Sequence, residues 1–104
     1  MLNIPYAGLF HINPSFAKKA LINNINRNVD QAKIDFLVNQ IKTNKWDETR
    51  KNPIVFDNLD NLLDGQHRLR AIIKAKKGVV VNVIFGMPKC IWDYLCEIWN
   101  KNEK

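Results

Sequence analysis

The segment Val79-Val80-Val81-Asn82-Val83-Ile84-Phe85 is nearly continuous in apolar, mostly β-branched residues. A run of this kind suits a strand buried inside a sheet, so the spacing predicts a central strand there. The rest of the chain must then supply strands for its two edges. Leu9-Phe10-His11-Ile12 is short and alternating, and reads as an edge strand over 9–12. Ile54-Val55-Phe56 and Leu62-Leu63 flank the turn-forming Asp57-Asn58-Leu59-Asp60-Asn61, which predicts a hairpin.

Between these runs the apolar period is helical. Asn13-Pro14-Ser15 opens a helix with a capping side chain and a proline in the first turn, and Phe16, Ala17, Ala20 and Leu21 form its stripe. After the polar stretch Asn23–Asn28, a second helix starts from Val29, keeps Ile34, Leu37, Val38 and Ile41 on one face, and ends near Asn44. A third is expected from Gln66 to about Lys77, with Leu69, Ile72 and Ile73 opposite its basic residues and Gly78 as its stop. Gly86-Met87-Pro88 turns the chain into a last helix with Trp92, Leu95, Cys96 and Trp99 on one face, and the tail 101–104 is expected to fray.

The 104 residues, 46% hydrophobic and 25% charged, make one domain, 1–104, with a core that needs neither disulfide nor structural metal. No apolar run approaches the ~20 residues of a membrane-spanning helix, and Met1-Leu2-Asn3-Ile4-Pro5 lacks a signal-peptide pattern, so the expected location is the cytoplasm. Cys90 and Cys96, six apart in a helical segment, point to different faces and are expected to be reduced and buried.

Charge is unevenly placed. The net charge is +6, and Arg68, Arg70, Lys74, Lys76, Lys77 and Lys89 all fall between Asp64 and the next acid, Asp93. That stretch suits an anionic partner, although a solvated helix face explains it equally well. Its start, Leu62-Leu63-Asp64-Gly65-Gln66-His67-Arg68, passes from strand to helix through one glycine. Free N–H groups and the positive dipole end of such a helix form a phosphate site, and Gly65 removes the Cβ that would hold an anion away. Arg68 can add a bidentate contact and His67 a ring donor. Asp64 can cap the helix or share a magnesium ion. Each residue also has a structural reading: a plain cap, a packed histidine, a tight-turn glycine, two exposed helix formers.

Asp64-Gly65-Gln66-His67-Arg68-Leu69, after a hairpin and before Ala71-Ile72, resembles the signature of the ParB/sulfiredoxin-like superfamily, in particular its phage-type branch with an Asp-Gly-Gln-His-Arg motif. Ile12-Asn13-Pro14 is similar to that family's opening strand, Asn26-Arg27 falls at its polar, arginine-bearing segment, and Lys45-Trp46 before Pro53-Ile54 is similar to its link into the hairpin. The resemblance spans about Ile12 to Gly86. It implies an α+β fold in which N-terminal helices precede a small mixed sheet with a strand-turn-helix phosphate site and a C-terminal helix. It also implies that Asp64, Gly65, Gln66, His67, Arg68, Asn26 and Arg27 hold a nucleotide, ATP or CTP with Mg²⁺.

The chain departs from the family's better-known members. Gln66 stands where sulfiredoxin has its catalytic cysteine, which argues against sulfinic-acid repair. The length leaves no room for the DNA-binding and dimerisation regions of a ParB clamp. A related serine-kinase branch uses a carboxylate base, for which Asp30, Asp47 or Glu48 are candidates, so phosphoryl transfer or hydrolysis stays open. Two further readings remain: a nucleic-acid module using Arg70, Lys74, Lys76 and Lys77 against DNA phosphates, and a binder of a host protein, such as a defence component, through the Trp92/Trp99 helix.

Overall fold

The structure is a computed structural model that describes residues 6–22, 29–47 and 52–102, without the side chains of 6 and 99–102. Its elements run β1 (Tyr6–Ile12), α1 (Pro14–Ile22), α2 (Gln31–Lys42), β2 (Ile54–Asp57), β3 (Leu62–Asp64), α3 (Gln66–Ala75), β4 (Val79–Met87) and α4 (Lys89–Asn102). They form an α+β domain with a four-stranded mixed sheet in the order β1-β4-β2-β3. β4 is internal, antiparallel to β1 and parallel to β2, while β2 and β3 close as an antiparallel hairpin. Val81 and Val83 are essentially inaccessible, as a central strand requires.

Side-chain alternation sorts the sheet into two faces. Ile12, Ile54, Phe56, Leu62, Val81 and Val83 join Ala17, Ala20, Ile34, Leu37, Val38, Ile41, Leu69 and Ile72 in the main core, so α1, α2 and α3 cover one face. Val55, Leu63 and Ile84 point the other way, onto Trp92 and Cys96 of α4. That cover stops short of the β1 edge, where Leu9 and Val80 stay exposed.

The helix starts follow the local chemistry. Asn13 Oδ1 accepts from the Phe16 amide at 2.8 Å, and Asp30 Oδ1 accepts from the Lys33 amide at 3.3 Å. In the β2–β3 turn the buried Asp57 carboxylate accepts from the Leu59 and Asn61 amides, both at 2.8 Å, and from Asn61 Nδ2 at 3.1 Å.

Several expectations are corrected. β1 begins at Tyr6 rather than Leu9, since pairing with β4 extends over Ala7 and Gly8, whose intrinsic strand preference is low. The second helix starts after Asp30, leaving Val29 exposed outside it. Gly86 (φ +79°) lies within β4 rather than in a turn after it. Lys76, not Gly78, ends α3 by adopting the left-handed conformation. Gly78 instead allows the chain to pass under β1, because a Cβ there would sit 2.6 Å from His11 Cε1 and 2.8 Å from the Ile12 carbonyl. Cys90 is exposed and only Cys96 is half-buried, because a helix packed on one side cannot bury two residues on different faces. No described helix is long and apolar enough to cross a membrane.

Candidate functional site

Gly65 occupies the N-cap position of α3 at φ +115°, in the left-handed region that glycine tolerates. It has no side chain to cap the helix, so Asp64, one residue earlier, is not the cap that the sequence suggested. Gly65 is also buried. A Cβ there would stand 2.8 Å from Ile54 Cγ1 and 2.9 Å from Ile54 Cγ2, so its bareness serves the packing of α3 onto β2.

The remaining motif residues extend this joint. Gln66 is buried. Arg68 donates through Nη1 to the Asn52 carbonyl and through Nη2 to the Pro53 carbonyl at 3.3 Å, tying α3 to the chain entering β2. Burial lowers the Arg68 pKa from its ordinary value while the nearby Asp64 charge opposes that shift. His67 Nε2 accepts from the Asp30 amide at 3.0 Å, joining the start of α3 to the start of α2.

Further along, Lys74 Nζ meets Asp35 Oδ1 at 2.7 Å and Lys77 Nζ meets Asn44 Oδ1 at 2.8 Å. The partners 30–67, 35–74 and 44–77 advance together, so α2 and α3 run parallel and their N-termini share one end. Two positive dipole ends thus lie side by side. The charges acting on His67 show what is gathered there: Lys33 and Arg70 on the cationic side, Asp30 and Asp64 on the anionic side. Arg70 Nε is buried with no hydrogen-bond partner among the described residues. Lys33 is the participant that sequence reading missed, since only the pairing of the helices places it beside the motif.

The His67 pKa is lowered from its ordinary value, first by burial and then by Lys33. The Asp30 contact agrees, because Nε2 can accept only in the neutral ring. A depressed basic group stabilises the fold fully above the unfolded imidazole value, about pH 6.5. That contribution is lost as pH falls through the lower folded value, because the unfolded chain takes up the proton first. Asp35, lowered by its hydrogen bonds to Lys74 and Gln31, acts in a separate window below about pH 4. The urea midpoint is therefore expected to fall between about pH 7.5 and about pH 5.5, and to fall less in His67→Gln. Equal pH sensitivity of variant and parent would contradict this assignment.

The structure brings Asp64, Gly65, His67, Arg68 and Arg70 to the shared N-terminal end, whereas Lys76 and Lys77 belong to the opposite one. Asn26, Arg27 and Glu48 lie outside the described residues. Asp47 follows the C-terminal end of α2, about 18 Å of helix from His67, so of the described carboxylates named as possible bases only Asp30 is near the motif. Trp92 is buried against Val55 and Leu63, as a core-facing stripe requires, and the Trp99 side chain lies outside the described residues; α4 exposes Ile91 and Tyr94. Among the described residues no three His, Cys, Asp or Glu side chains cluster as metal ligands. No family model, curated protein or solved structure matches the chain.

Proposed function

We propose that the chain binds the phosphates of a nucleotide, ATP or CTP in the first instance, at the end where α2 and α3 begin. The reading is carried by Arg70, whose guanidinium stands beside His67 at the paired N-termini, with its Nε buried and without a hydrogen-bond partner among the described residues. With Nε2 occupied by the Asp30 amide, the neutral His67 ring carries its proton on Nδ1, and that N–H supplies a second donor. Lys33 adds an exposed ammonium, and the positive helix ends favour an anion over water. Arg68 and Gly65 then act indirectly, by fixing the start of α3 against β2, and Gln66 by packing beneath it.

Magnesium fits this arrangement as a companion of the phosphates. The ion uses one or two carboxylates and takes its other ligands from phosphate and water, and Asp64 is the carboxylate at hand.

Calorimetric titration with ATP, CTP and their diphosphates, with Mg²⁺ present, tests the proposal. Arg70→Gln is expected to weaken binding about tenfold or more, the loss of one charged hydrogen bond at about 1.5–3 kcal/mol, while the variant stays folded. No heat with any nucleotide, or a variant that binds like the parent, would refute it.

A further inference from the structure

The opposite end of the helix pair carries a second concentration of positive charge. Lys42 closes α2 and Lys45 follows it; Lys76 and Lys77 follow α3; all four are exposed. Lys77 Nζ reaches Asn44 Oδ1 at 2.8 Å, which joins the two pairs into one surface. Trp46 fixes the base of that surface: its indole N–H donates to the Val80 carbonyl at 3.1 Å, at a point of β4 that β2 does not reach. His11, exposed on β1 and paired with Val80, lies over Gly78 at the same end. Asp47, half-buried, is the carboxylate nearest in the chain, and Asp35 is already joined to Lys74 further along the helices.

A simpler role for these lysines is to offset the negative ends of the α2 and α3 dipoles. That explains Lys42, which lies in a last turn, but not Lys45 and Lys77, which stand beyond the helices. We infer that Lys42, Lys45, Lys76 and Lys77 form a contact surface for the sugar-phosphate backbone of a nucleic acid. Four ammonium groups with no arginine among them are point charges, suited to repeating phosphates rather than to fork-to-fork recognition of protein carboxylates. A membrane surface fits less well. Interfacial helices insert their apolar faces, and those of α2 and α3 are spent on the core through Ile34, Leu37, Val38, Ile41, Leu69 and Ile72. Binding at this end should be insensitive to base sequence, since lysines on backbone phosphates read none.

The test is fluorescence anisotropy with a labelled duplex and a labelled single strand across a salt series. Four neutralised phosphates give a log–log slope of about −3.6 on duplex, an affinity loss of about 150-fold between about 50 and about 200 mM salt. Lys76→Glu with Lys77→Glu should halve the slope, reducing that loss to about 12-fold. Lys42→Glu with Lys45→Glu should do the same from the α2 side, and a reversal of Lys18 and Lys19 on α1 should leave the slope unchanged. The inference is overturned if neither nucleic acid binds at low salt, if the α1 reversal weakens binding as much as the others, or if anionic phospholipid vesicles bind with the same lysine dependence while nucleic acid does not. Arg70→Gln, at the far end, should bind nucleic acid like the parent, so this result and the nucleotide result can fail separately.

Discussion

Gly65→Ala is expected to destabilise the domain by about 2–5 kcal/mol, the sum of a strained left-handed alanine and an overpacked contact. The backbone at φ +115° disfavours any Cβ, and the Cβ would meet Ile54 from 2.8 Å away. Ile54 cannot retreat, because it is fully buried between the sheet and the helices. The variant also separates two explanations of the glycine. If it serves only to let a phosphate approach, Gly65→Ala keeps its urea midpoint and loses ligand; if it serves packing, stability falls first. The geometry supports the second outcome, measured by denaturant unfolding without ligand.

Arg68→Ala should cost about 1.5–3 kcal/mol, because its charged guanidinium satisfies the Asn52 and Pro53 carbonyls. Arg68→Lys should not restore them, since an ammonium cannot span two carbonyls as a fork does. An Arg68→Ala protein as stable as the parent would show that the tie between α3 and the β2 entry carries no weight. The same variant bears on ligand binding only through the position of α3, so its nucleotide affinity should fall less than that of Arg70→Gln, when both are compared under conditions where each is folded.

The sheet's centre and the helical periods were legible because each follows from a local pattern. The Val79–Phe85 run became the inner strand, Ile34, Leu37, Val38 and Ile41 became the buried face of α2, and Asp57 made the hairpin turn. What escaped the sequence depends on neighbours distant in the chain. Gly78 reads as a helix stop until His11 is seen above it. Asp64 reads as a cap until Gly65 takes that position with φ +115°. The spacing of Cys90 and Cys96 already placed them on different faces, yet which face would be covered depends on how α4 lies on the sheet.

The candidate site divides in the same way. Asp64 to Arg68 stood out as a unit, and the structure does gather them at the start of α3. Their division of labour was not legible, because it is set by Asn52, Pro53 and Ile54 on one side and Asp30 on the other. Lys33 carries no local signature at all, and Arg70 stood out only as a member of the basic run. Their significance comes from α2 and α3 being parallel, a relation that pairs residues 37 to 39 positions apart.

The most direct test of a phosphate site at the paired helix starts is an amide chemical-shift titration with Mg²⁺ and a nucleoside triphosphate. Shifts are expected to concentrate on Asp30 to Lys33 and Gln66 to Arg70, with Lys42, Lys45, Lys76 and Lys77 unmoved. Shifts confined to those four lysines, or no shifts at saturating nucleotide, would contradict the assignment.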